Sequence, residues 1–431
     1  MIVKRIRVLV CVMGALSLSA ARIDAQTTRS TVATGAPGST TVDDVRKTYQ
    51  LHPGPFYISP KLLLKELGFD SNVYNTVQAQ EEDFTFTLTP QADIALPVAR
   101  RALFLVNAGA DLLYFQKNAS QRAVNPAFAG RAELYLRRLT LFARGEYENT
   151  RERANYEIDL RLRHLDTSAS GGVVLRLSSK TSLEGDVHRT GVEYERSAAA
   201  IISGLKQALD RHSEGYDAAL RHRFTPLTSM FVKYESFDDH FPLEPERDAK
   251  SYRIMPGVEF KPKALISGRA SVGYRSFTPS NPLVPPFSGP VADVSLSYTL
   301  LSSTTFGVTA GRDIAYSFEA DTPYFVADSV GLSIRRALSS RFDVTLTGTR
   351  NRYTYRPPMI VPPNQVEEFG DEITRVDTTD NYTAGLGYWI RRQTRIGVGG
   401  SYWTRRSNVD PIFRSHAYDR LRVGLTVDYG F

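Results

Sequence analysis

The chain has 431 residues, of which 42% are apolar, 11% aromatic and 23% charged, and its formal net charge is +7. No internal run of about 18 apolar residues occurs, which excludes a transmembrane helix. The basic residues are dispersed rather than gathered in one stripe, which argues against nucleic acid as a partner. The only cysteine, Cys11, falls in an N-terminal leader, so a mature chain would have no thiol chemistry, cysteine metal site or disulfide.

The leader comes first. Lys4, Arg5 and Arg7 form a basic start, Val8 to Leu18 a short apolar run, and Ser19-Ala20-Ala21 and Ala25 supply small residues. This reads as a secretory signal peptide over residues 1–25, cleaved after Ala21 or Ala25. Val10 precedes Cys11 where a lipoprotein acceptor needs a small residue, so no lipid anchor is expected. Its removal leaves the mature chain only mildly basic. Residues 26–55 are rich in Thr, Ser, Gly and Ala and read as a flexible periplasmic lead segment. They are too short for the globular plug of a large transporter.

From Phe56 the chain becomes a series of alternating segments. In Phe84 to Ile94 the even positions are apolar and the odd ones polar. Pro90 cannot donate to a ladder, so a bulge or bend is expected there. Ala102, Phe104, Val106, Ala108, Ala110, Leu112 and Tyr114 share the next apolar face. Similar segments recur at 128–136, 139–147, 252–260, 292–300, 342–346, 382–390 and 396–402. Short connectors lie at 97–100, 137–138, 178–180, 225–227, 261–263, 302–303, 339–340 and 391–393. Longer ones carry the Gly, Pro and acidic clusters, at 66–82, 198–213, 238–249, 278–290 and 356–379. Eight short turns, with a first and a last strand added, predict about 18 strands, with 16 as the alternative. The uncertain stretch is Thr150 to Gly172, which is too long for one strand and reads either as a strand extending above the membrane or as a loop.

The last segment is the clearest. Leu421, Val423, Leu425, Val427, Tyr429 and Phe431 fall on one face, and Arg422, Gly424, Thr426, Asp428 and Gly430 on the other. Its alternation and terminal Phe431 resemble the C-terminal strand of bacterial outer-membrane barrels. Leu425, Val427, Tyr429 and Phe431 would then be the membrane-insertion signal. A soluble all-β protein could alternate in the same way, but with the apolar face inward; the leader and Phe431 favour the membrane. The expected fold is therefore an all-β, transmembrane, antiparallel up-and-down β-barrel over residues 56–431. Short turns would face the periplasm and long loops the outside.

Specific words add a family. Ser59-Pro60-Lys61, Gly68 to Tyr74, Leu177 to Asp186, Phe224 to Ser229, Arg247 to Arg253, Gly268 to Arg275 and Arg312 to Ser317 occur in order along nearly the whole mature chain. Together they resemble the porin-2-like family of outer-membrane β-barrels. Some of its members are linked to exopolysaccharide export or surface-protein sorting. The resemblance implies a fold, a location and a pore, without catalytic or substrate residues.

In such a barrel the polar face lines the lumen and sets the field for passing solutes. The candidate lumen charges are Arg131, Glu133, Glu184, Asp186, Arg221, Arg223, Arg253, Glu259, Arg269, Arg275 and Arg422. Arg221 with Arg223, then Arg253, Arg269 and Arg275, are assigned to four consecutive strands, 8 to 11, and would form a basic wall. Glu184 and Asp186 on strand 7 would stand beside it. The competing expectation is that these groups pair across strands and fill the lumen. Catalysis is not expected. His188 and Asp186 share a strand face but lie about 6 to 7 Å apart, loose for a catalytic hydrogen bond. Asp238-Asp239-His240 in an outer loop could meet a divalent cation, although an exposed polar loop explains it as well.

The function expected from the sequence is a passive outer-membrane channel for small hydrophilic solutes, with no cofactor and no metal. Its partners would be outer-membrane lipid, the assembly machinery and the solutes. The alternatives are the exit component of an exopolysaccharide export system, and a non-conducting structural or adhesive barrel. Segments 198–213 and 356–379 are the candidates for a loop folded into the lumen.

Overall fold

Strands with one apolar face leave two demands: cover for that face, and partners for every backbone N–H and C=O. Closing the sheet on itself meets the second demand without leaving an edge. The computed structural model has this closure. It describes residues 41–99, 101–153, 155–197, 199–200, 203–262, 264–360, 372–410 and 417–430. The strands in chain order are β1 (Tyr57–Asp70), β2 (Asp83–Val98), β3 (Ala102–Phe115), β4 (Ala123–Tyr135), β5 (Leu139–Thr150), β6 (His164–Arg176) and β7 (Thr181–Tyr194). Then come β8 (Arg211–Arg223), β9 (Thr228–His240), β10 (Ala249–Phe260), β11 (Ile266–Pro279), β12 (Phe287–Leu300), β13 (Thr304–Tyr316) and β14 (Tyr324–Ala337). The last are β15 (Phe342–Arg356), β16 (Met359–Ile360), β17 (Glu372–Ile373), β18 (Val376–Arg391), β19 (Thr394–Ser407) and β20 (Tyr418–Gly430). Leaving aside the two-residue pair β16 and β17, the strands form one 18-stranded sheet. Consecutive members pair antiparallel, and β1 closes the ring by pairing with both β2 and β20.

The alternate connections are short, two to five residues, and the others run from seven to 19. All eight expected short turns fall at one end of the barrel. The stretch 150–172 settles the strand count at 18. β5 ends at Thr150, β6 begins at His164, and the residues between are a loop. Tyr156, Glu157 and Ile158 are buried in succession. A strand would have sent every second one to the other side.

The register break does not fall at Pro90. Pairing between β2 and β3 lapses at Thr89–Pro90 but resumes in the same register, so Pro90 interrupts the ladder without a bulge. The shift lies instead in β1, between Lys65 and Gly68, where Glu66 has a φ of 54°. Its residue in the left-handed region makes the extra link of a bulged strand.

The apolar face points outward. On β14, Val330, Leu332 and Ile334 are exposed, and on β20 so are Leu421, Val423, Leu425 and Tyr429. Phe431 lies outside the described residues. Strands of 12 to 16 residues exceed the roughly 9–11 needed to cross a bilayer. The surplus on the long-loop side carries outward ion pairs, Arg189–Glu214 at 2.8 Å and Lys250–Asp238 at 3.1 Å. Below them stack Tyr216, Tyr234 and Tyr252, with ring centres 5.8 and 6.1 Å apart. An aromatic row under an ionic row is how a lipid-facing band ends at water.

At the short-turn end the chain enters the barrel. Residues Val42–Thr48 form a helix inside the segment whose composition suggested flexibility. Thr41 and Asp44 make a reciprocal capping box, and Val45 and Tyr49 are a same-face pair four residues apart. That pair packs against Ala95, Leu103 and Leu105 on the inner face of β2 and β3.

Candidate functional site

The inner face between β4 and β13 is a web of paired charges. Arg221 of β8 holds Glu184 of β7 at 2.8 Å and Glu259 of β10 at 2.5 Å. Arg253 of β10 holds Glu235 of β9 at 2.5 Å and reaches Asp313 of β13 at 2.6 Å. A contact across three ladders is available only on the concave side. Asp313 also takes Arg275 of β11 at 2.6 Å, and Arg275 donates to Ser251 at 2.9 Å. Lys233 lies between Asp217 and Glu235, 2.7 Å from each.

The candidate charges therefore do come together, but not as a basic wall with an acidic wall beside it. Arg221 and Arg223 stand on β8, Arg253 on β10, and Arg269 and Arg275 both on β11, so these five arginines come from three strands rather than four consecutive ones. The intervening β9 contributes Glu235, and β13 contributes Asp313, which interleave acids among the bases. Arg269 has no carboxylate within ion-pair distance among the described residues; its guanidinium lies 4.4 Å from the centre of the Phe231 ring. Arg223 donates to the Ser179 carbonyl in a short turn. Arg131 and Glu133 pair at 3.1 Å and are fully buried. Arg422 reaches Asp70 at 2.9 Å and Glu66 at 2.6 Å.

Asp186, His188 and Asp217 place one donor atom each within 4.8 Å of one another, the one such cluster among the described residues. His188 Nδ1 is 3.7 Å from Asp217, whose other oxygen already meets Lys233. Asp238, Asp239 and His240 do not converge. They sit at the end of β9, where Asp238 and His240 are half exposed and 3.4 Å apart. Asp239 is buried and accepts from the Tyr316 hydroxyl at 2.7 Å.

The second part of the site was not among the loops expected to fold inward. The described residues of 151–163, between β5 and β6, cross the long-loop mouth as a bar. At one end Arg153 donates to the Val73 carbonyl at 2.7 Å, beside β1. In the middle the Tyr156 ring stacks on Tyr353 of β15, centres 3.5 Å apart and planes 9° from parallel, and its hydroxyl meets that of Tyr355. Glu157 accepts from the Ser317 and Tyr355 hydroxyls, each at 2.7 Å, and from the Phe318 N–H at 3.2 Å. Ile158 packs on Tyr194, Leu205 and Leu209. Arg405 of β19 donates to the Tyr156 carbonyl at 3.2 Å and to Asp377 at 2.9 Å, and Asp377 is also clamped by Arg375.

This bar touches the walls on opposite sides through buried polar groups. Burial pushes the Glu157 carboxyl above its usual range, against the lowering effect of its hydrogen bonds and of Arg375. Of the two expected inward loops, 198–213 contributes a helix, Leu205–Leu209, that packs on the bar, and its last residues already belong to β8. From 356–379, Arg375 and Asp377 contribute to the bar's seat, and residues 361–371 lie outside the described set. Lys233, Glu235 and Asp313 had a sequence signal, since they share the polar parity of their strands. Tyr156 and Glu157 had the surplus length of their segment and an alternation over 156–163 that reads as a strand, which the structure does not form.

No curated protein matches the chain. A BenF-like porin from Pseudomonas fluorescens Pf-5 is similar with a TM-score of 0.47 and 11% identity, over 87% of this chain and 98% of that one. OpdK of Pseudomonas aeruginosa, solved with vanillate, gives 0.44 and 10% over the same shares. The alcaligin receptor FauA of Bordetella pertussis gives 0.42 and 11%, over 89% of this chain and 77% of that one. The family described as "Putative beta-barrel porin 2" matches residues 51–430. The chain belongs to that family and is a porin-like β-barrel of the bacterial outer membrane.

Proposed function

We propose that the barrel is a passive channel for small hydrophilic solutes, entered through a mouth narrowed by the bar 151–163. The observation that carries this is the inner wall: from β4 to β13 its polar parity presents paired charges rather than a packed apolar core. Between Tyr57 and Gly430 the described residues are strands and their connections, without a separate plug domain. Such a wall lowers the cost of taking a polar solute through the bilayer, and its balanced charge favours neutral or dipolar solutes over strongly charged ones. Leu425, Val427, Tyr429 and Phe431 serve assembly into the membrane under the same reading, and the leader 1–25 serves export.

The test is single-channel recording of the refolded mature protein in a planar bilayer. Stable ohmic steps support the channel, and silence from a verifiably folded barrel overturns free diffusion. The bar also favours a second reading, an exit port for an exported polysaccharide that opens only with periplasmic partners. That port would be silent alone and conduct once the bar is deleted, whereas a structural barrel would stay silent in both forms.

A further inference from the structure

One guanidinium on the bar has no carboxylate within ion-pair distance among the described residues. Arg161 is 7% exposed, and neither its Nε nor its Nη1 meets a hydrogen-bond acceptor among the described residues. Its guanidinium carbon lies 4.8 Å from the centre of the Phe115 ring at the end of β3. The arginines around it are differently placed. Arg420 is held by Asp70 at 2.9 and 2.5 Å and by Asn75 at 3.2 Å. Arg422 is held by Asp70 and Glu66. Arg153 donates to the carbonyls of Asp159 at 3.0 Å and Val73 at 2.7 Å. Of these four, only Arg161 has buried nitrogens without an acceptor among the described residues, and taking a bare guanidinium out of water is costly.

We propose that Arg161 is the centre of a binding site for a small oxyanion, a carboxylate or a phosphate, where the bar meets the inner wall at β3 and β20. An oxyanion would give the two idle donors charge-assisted hydrogen bonds in a water-poor place, where such bonds are strong. Its charge would also offset the crowding of cations. Burial first, and then Arg153, Arg420 and Arg422, pull the Arg161 pKa down to about 9, with Glu152 acting in the opposite sense. The use of this site in transport rests on the channel reading, but binding itself does not.

The test uses the full mature protein refolded in detergent. Trp389→Phe leaves Trp403 as the one tryptophan of the two in the chain. Its ring lies 5.7 Å from the guanidinium carbons of both Arg420 and Arg422, so it reports on the charge beside it. Sodium phosphate and sodium acetate are titrated separately against sodium chloride at matched ionic strength. A saturable fluorescence change with either oxyanion and none with chloride is expected; phosphate alone would assign a phosphate site, and both a general oxyanion site. Arg161→Gln should weaken that saturation at least about tenfold, the loss of one charge-assisted contact. Arg161→Lys keeps the charge but displaces it, should weaken it less, and serves if Arg161→Gln does not give a heat-modifiable barrel. Titrations indistinguishable from chloride, or saturation unchanged in both variants, overturn the proposal. Binding in a barrel that never conducts leaves the site standing and removes the channel.

Discussion

The Tyr156 ring lies over the Tyr353 ring with centres 3.5 Å apart and planes 9° from parallel, although 197 residues separate them in the chain. One partner belongs to a loop and the other to the inner wall, so this stack pins the loop across the mouth. Aromatic pairs of this kind contribute about 0.5–1.5 kcal/mol beyond the area they bury. Tyr156→Ala should therefore loosen the bar and raise single-channel conductance, while heat modifiability shows the barrel intact. Tyr156→Phe loses only the hydroxyl contact to Tyr355 and should have a smaller effect, about 1 kcal/mol on docking. Equal conductance in all three proteins would mean that the bar does not limit flow.

Acid should close the mouth. Glu157 has a raised pKa when the bar is docked, because burial penalises the carboxylate. In an undocked loop it would be solvated and ordinary. The docked state thus binds a proton more tightly, so docking strengthens as pH falls from the raised value toward the ordinary one, and that gain is absent at higher pH. The groups facing it are the Ser317 and Tyr355 hydroxyls, the Phe318 N–H and Arg375. Conductance should fall as pH is lowered through the raised value toward the ordinary carboxylate range, and Glu157→Gln should flatten that dependence. A fall that persists unchanged in Glu157→Gln would place the titrating group elsewhere.

The inner wall predicts selectivity. Arg253 answers both Glu235 and Asp313, so Arg253→Gln leaves each carboxylate one cation poorer, though Lys233 and Arg275 remain. The zero-current potential in a potassium chloride gradient should move toward cation preference, by a permeability-ratio change on the order of two- to threefold. Arg269→Glu should shift it in the same direction, because Arg269 has no ion-pair partner among the described residues to absorb the change. No shift in either variant would put these residues outside the ion path.

The helix at the short-turn end has its own test. Val45 is fully buried against Ala95, Leu103 and Leu105. Val45→Asp sets a carboxylate in that contact and should cost about 2–4 kcal/mol of docking, enough to free the helix. Limited proteolysis should then cut the segment before Tyr57 while the barrel stays heat-modifiable. Resistance equal to that of the unmodified chain would show that other contacts hold the segment.

On the lipid face, Leu332 of β14 is 61% exposed and points away from the charge web. Leu332→Arg should cost about 2–4 kcal/mol near the bilayer midplane. Folding yield into bilayers would fall, whereas a face that meets water would accept arginine without loss.

By itself the sequence determined the strands, their turns and which face of each is apolar. These are local properties: a period of two in segments such as Leu421 to Tyr429, and short breaks such as those at 178–180 and 302–303. Short turns force antiparallel neighbours, so strand order followed from chain order, and even the parity of Glu184, Arg221 and Arg253 was legible. Only the tertiary structure decided the rest. Which acid meets which base depends on register and on reach across the lumen, as when Asp313 of β13 takes arginines from β10 and β11. The bar depends on it entirely. Tyr156 to Arg163 alternate apolar and charged residues as a strand would, yet they form a loop, and their partners lie up to 249 residues away. Nothing local distinguishes a loop that hangs in solvent from one that crosses a mouth. That choice is made by the buried partners waiting on the far wall, which exist only once the barrel has closed.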